Sequence, residues 1–186
     1  MKQDYKKRAI FAGIGGILSI IALSLFIVDF VTLKMGSLEN GFSGFELAFD
    51  GENIFTDYGV NGEGMYTFFS LAIVAGFALG GIGEMVRCLL IYYGKINMPK
   101  KQEQSRRNAI LLCVSVVIVS FIPLILNLFI LKTTGFNANP LAQVGIGAIL
   151  TGIIGAIGCL CQMVPFVLNA FKEINNEETA EKIKKD

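Results

Sequence analysis

Long apolar runs alternate along this chain with short charged stretches, and each run has the length of a membrane span. The first, "AIFAGIGGILSIIALSLFIV" at 9–28, has 20 residues. At about 1.5 Å per residue that crosses about 30 Å of hydrocarbon, and the span is placed at about 9–31. Further runs fall at about 66–93, 109–131 and 144–171. The pattern predicts an all-α integral membrane protein: one four-transmembrane-helix bundle occupying 1–186. An apolar region this long without a small-residue cleavage site reads as an uncleaved anchor. Between the first two spans, over 34–64, the period changes. Phe45, Leu47 and Phe49 alternate with Glu46, Ala48 and Asp50, and "DGEN" is turn chemistry. A small extracellular β-hairpin-like loop is expected there. The second outer loop, "KTTGFNANPLAQ", is short and rich in turn residues. Residues 94–108 read as a cytoplasmic loop, and 172–186 as a charged cytoplasmic tail, a frayed helical extension or disordered.

Small residues recur within the spans at helical spacing. Lipid tails are as apolar as leucine, so helices in a bilayer associate by close packing of small residues and by polar contacts. The second span offers Ala72, Gly76 and Gly80, which are expected to face inward. The fourth offers Gly147, Thr151, Gly155 and Cys159, with Ala148, Gly152 and Ala156 beside them. The first offers Ala12 and Gly16, with Gly15 and Ser19 alongside. The third is bulkier and carries Pro123.

Composition adds exclusions. The chain is 53% hydrophobic and 17% charged, with a net charge of +1 and no His. So small a charge gives nucleic-acid binding no electrostatic support, and the commonest general base and metal ligand is missing. Cys88, Cys113, Cys159 and Cys161 all lie in apolar runs. They read as small buried hydrophobes, not as a disulfide framework or a zinc site. No cofactor or metal is expected. The acidic outer loop, with Glu39, Glu46, Asp50, Glu52, Asp57 and Glu63, fits no complete calcium-loop spacing.

Charge also sets an orientation. Basic residues in the N-terminal stretch, the 94–108 loop and the tail number thirteen, against two in the remaining loops, Lys34 and Lys132. By the positive-inside rule both termini face the cytoplasm, in the cell membrane.

Two charges lie inside the second span. Glu84 is nine residues before Tyr93, roughly 13 Å inward at about 1.5 Å per residue. A charge at the middle of a membrane costs about 2.5–3.5 kcal/mol on insertion scales. Arg87 pairs with Glu84 at i, i+3 and reaches toward the headgroups. Ser19, Ser115 and Gln162 fall at broadly similar depths, so Glu84, Arg87, Ser19, Ser115 and Gln162 form a candidate intramembrane polar cluster. A structural ion pair is the plainer reading of Glu84; a proton- or cation-binding carboxylate is the other.

The layout, with both ends inside and a long outer loop followed by a short one, is similar to the claudin-like or tetraspan arrangement. The chain also resembles a loose set of small bacterial four-helix membrane proteins with an "SGFEL"-type stretch after the first span, here Ser43 to Leu47. The Trp and Cys pair that mark true claudins are absent, so no functional residue carries over. Function is therefore expected to be non-enzymatic: association with itself or with a membrane-protein partner, as an accessory, envelope, immunity or defence-type component. The alternative is an oligomeric small channel or transporter subunit using Glu84. Catalysis is not expected without His or a recognisable motif.

Overall fold

The computed structural model describes residues 2–35, 37–97, 106–131 and 142–183. The helices are α1 (Lys2–Ser24), α2 (Gly44–Asp57), α3 (Gly64–Tyr92), α4 (Arg106–Leu128) and α5 (Ile146–Ile183), and the strands are β1 (Asp29–Met35), β2 (Leu38–Ser43) and β3 (Ala142–Val144). Three stretches are long and apolar enough to cross a membrane: Gln3–Ile27, Gly64–Tyr92 and Ile146–Leu168. α1 packs between α3 and α5, and α4 packs on α5 and α3. The start of α1 and the later part of α5 share one end of the molecule (the terminal end), where Lys172 Nζ lies 3.9 Å from Asp4 Oδ1, and the strands cover the other (the sheet end).

α1 is the hub, and its two adjacent glycines serve different neighbours. A Cβ on Gly81 of α3 would stand 2.8 Å from the Cα of Gly16, so these two backbones meet directly. Gly15 faces α5, where a Cβ on Gly158 would lie 3.1 Å from the Gly15 carbonyl oxygen and 2.9 Å from Ser19 Oγ. Such approach replaces bulky contacts with many short backbone contacts, the form of attraction available where lipid removes the hydrophobic drive.

At the sheet end the chain departs from the expected spans. α1 closes in a 3₁₀ turn at Leu25–Ile27, Val28 is extended, and β1 begins at Asp29. The first span therefore stops short of residue 31, because "DFVTL" is taken into a strand. β1 is central in a sheet of order β2-β1-β3. It pairs antiparallel with β2 in a hairpin and, through Val31↔Val144 and Leu33↔Ala142, with β3. The third strand lies in what the sequence showed only as a turn-rich loop; residues 132–141 of that loop lie outside the described residues, as do 98–105. Phe26, Phe30, Leu33, Leu47, Phe55 and Ile130 are buried together beneath the sheet. A second tie joins Gly62 to Leu131, with the Glu63 N–H donating to the Ile130 carbonyl at 3.0 Å. The sheet and this bridge thus fasten the α1–α3 connection to the α4–α5 connection.

The hairpin expected over 43–55 is a correction. A hairpin exists, but upstream at 29–43, and 44–57 is helix. Ser43 and Glu46 form a capping box: Ser43 Oγ accepts from the Glu46 N–H at 3.3 Å, and the Glu46 carboxylate accepts from the Ser43 N–H at 2.8 Å. The buried positions are Gly44, Leu47, Gly51 and Phe55, a helical spacing, and Phe45 and Phe49 are exposed. The "SGFEL" stretch is thus a helix start. The tail is helical as far as Ile183.

Candidate functional site

Glu84 and Arg87, one turn apart on α3, are joined by two bonds: Arg87 Nε donates to Oε2 at 2.7 Å and Nη2 to Oε1 at 2.9 Å. A third donor comes from α1, where Arg8 Nη2 reaches Oε1 at 3.0 Å. The Cys88 thiol adds a bond to Oε1 at 3.3 Å. Arg8 also lies over the Phe166 ring of α5, 4.4 Å from its centroid. The carboxylate therefore ties α3 to α1, and Arg8 carries that tie on to α5. Hydrogen bonds to a charged group contribute about 1.5–3 kcal/mol each, enough together to offset the cost of holding Glu84 within an apolar helix.

Of the other polar residues proposed for this cluster, none bonds Glu84. Gln162 is buried and donates from Nε2 to the Phe77 carbonyl at 2.8 Å, bracing α5 against α3. Ser19 is buried and donates to the Gly15 carbonyl in its own helix at 2.9 Å. Ser115 is exposed on α4. In the sequence Arg8 counts only among the N-terminal basic residues that set orientation. The signal available was its identity: an arginine directly before the first apolar run, long enough to reach back along a neighbouring helix.

The packing glycines divide in two. Gly147, Gly152 and Gly155 of α5 are buried. A Cβ on Gly152 would stand 2.8 Å from the Leu124 Cα of α4, one on Gly147 would stand 2.7 Å from the Asp29 carbonyl oxygen, and one on Gly155 would touch Val74 at 3.4 Å. Ala72, Gly76 and Gly80 of α3 are exposed, and among the described residues a Cβ on Gly76 or Gly80 would meet nothing within 4 Å. The face of α3 that packs inward is instead Thr67, Ser70, Val74, Ala78, Gly81 and Cys88. The expected inward groove is therefore an open one. It forms a slot of about 490 Å³ lined by Gly76, Gly80 and Glu84 of α3, Val119 of α4, and Gln162 and Phe166 of α5.

Among the described residues, no group of three His, Cys, Asp or Glu side chains could hold a metal ion. All four cysteines are free, Cys88 and Cys159 buried and Cys113 and Cys161 half-buried. No family model, curated protein or solved structure matches this chain.

Proposed function

We propose that this is a multi-pass membrane protein of four spans, α4 supplying the fourth, with the sheet end outside and both termini in the cytoplasm. It acts without catalysis, by associating within the bilayer with a second copy or another membrane protein. The observation that carries this reading is the exposed Gly76-x-x-x-Gly80 stripe of α3, extended by Ala72 and Gly83. Small residues spaced by four on a membrane helix let a second helix approach closely. Among the described residues nothing comes within 4 Å of a Cβ placed on Gly76 or Gly80, and it is Gly81 that makes the contact to α1. The channel reading has weaker support, because Arg8 and Arg87 already occupy the Glu84 carboxylate.

A photo-cross-linking amino acid at position 80, in membranes of the native host, tests this. An adduct of defined protein mass is expected from position 80 and none from Ile17, an exposed position of α1. Equal yields from both positions, or none from position 80, would remove α3 as the association face.

A further inference from the structure

We propose that the slot along α3 seats one acyl chain of an anionic phospholipid, with the phosphate held at Arg8 and Arg87. The proposal rests on the membrane orientation given above, which places the Glu84 end of the slot on the cytoplasmic side.

Shape comes first. On α3 the lining runs from Ile73 to Glu84, about 16 Å at about 1.5 Å per residue. The slot, of about 490 Å³, is elongated along that length. An elongated slot with mostly apolar walls suits a hydrocarbon chain. The volume also lies within the about 300–1,000 Å³ usual for small-molecule sites, which pair apolar walls with a few orienting polar groups.

Polarity runs along the slot in one direction. Gly76, Gly80 and Val119 offer no hydrogen-bonding side chain, and Gln162 has its amide on the Phe77 carbonyl. Of the slot's lining residues only Glu84 is charged, and Arg8 and Arg87 both bond it, so among the described residues this end holds two guanidiniums to one carboxylate. Arg8 packs on Phe166, itself a wall of the slot, and its Nε is buried without a hydrogen-bond partner among the described residues. Arg87 is 46% exposed, so its outer face is open to a second anion. Guanidinium donors match phosphate oxygens in pairs, and basic pockets between helices on the cytoplasmic side suit anionic headgroups. A lipid seated here lies against the glycines that a protein partner would approach, so the two share this face.

Native mass spectrometry of the full chain, released from micelles doped equally with phosphatidylglycerol and phosphatidylcholine of identical chains, tests the proposal. Wild type is expected to retain phosphatidylglycerol over phosphatidylcholine by about five-fold. Arg87→Gln and Arg8→Gln should each move that ratio toward parity. Gly80→Leu should lose both lipids at unchanged melting temperature, because its side chain enters open space. Parity in wild type, or retention undiminished in Gly80→Leu, would overturn the proposal. Arg87→Gln leaves the glycine stripe intact, so a lost lipid preference with position-80 cross-linking preserved separates lipid binding from protein association. Carbonate extraction separates the rest: a chain released by carbonate refutes the membrane reading and the lipid together, and a chain retained without preference refutes the lipid alone.

Discussion

Gly80 and Gly81 are neighbours in sequence and opposites in surroundings. At Gly81 an added Cβ would stand 2.8 Å from the Gly16 Cα; at Gly80 it would meet nothing within 4 Å among the described residues. Both belong to rows of small residues on one helix. The closed row keeps its spacing of three or four through most of α3, from Thr67 through Ser70, Val74, Ala78 and Gly81, and Cys88 continues it two turns on. The open row is confined to the middle turns, from Ala72 to Gly83. A stripe that lasts the length of a helix marks the face that holds the chain together. A short one is free for something else, because packing against a whole neighbouring helix needs contacts at every turn.

The largest effect should come from filling the closed contacts. Gly158→Leu and Gly152→Leu each drive a side chain into backbone, Gly15 in one case and Leu124 in the other. Overpacking costs about 1–3 kcal/mol, and here the obstructing atoms cannot rotate away, so the upper end or failure to fold is expected in thermal unfolding in detergent. Wild-type melting of either variant would show that these helices do not approach as described.

Next is Glu84→Gln. It leaves Arg8 and Arg87 without their shared counter-charge, and a loss of about 1–3 kcal/mol is expected. Because Arg8 comes from α1, the damage should reach the α1–α3 contact: Arg8→Gln should weaken the same melt, and Glu84→Gln combined with Arg8→Gln should cost less than the sum of the two. Additive losses would place Arg8 outside this network.

Smaller still is the cap of α2. Ser43→Ala should cost about 1 kcal/mol. The Ser43 backbone N–H, and then its hydroxyl, hold the Glu46 carboxyl below its ordinary range. A carboxyl lowered on folding contributes its stability above the ordinary range and loses it as pH falls through the lowered value. The gap in melting temperature between wild type and Glu46→Gln should therefore close on acidification. A gap independent of pH would mean the carboxylate form is not what caps the helix.

The comparison also shows where the sequence was legible. The apolar runs locate α1, α3 and α5, the helices long enough to cross a membrane, because span length is dictated by hydrocarbon thickness, and the remaining run falls on α4. Which face of α3 turns inward was not legible. Gly76, Gly80, Gly81 and Gly83 crowd eight residues, so two stripes of small residues compete and the denser one misleads. The α2 helix was legible in principle, from Ser43-x-x-Glu46 followed by Leu47, Gly51 and Phe55, but six residues of alternation obscured it. β3 was not legible: three residues pair with a strand more than a hundred positions earlier, and so short a strand has no period to read. Arg8 meets Glu84 across 76 positions, which local spacing does not encode.

The most direct measurement is the thermal unfolding of Gly80→Leu beside Gly81→Leu, purified in the same detergent. Gly80→Leu should melt with wild type. Gly81→Leu, forced against the Gly16 backbone, should lose about 1–3 kcal/mol, or about 2–4 °C for each of those kcal/mol in a chain of this size. Equal losses in the two variants, or a greater loss in Gly80→Leu, would contradict the assignment of the closed and open faces of α3.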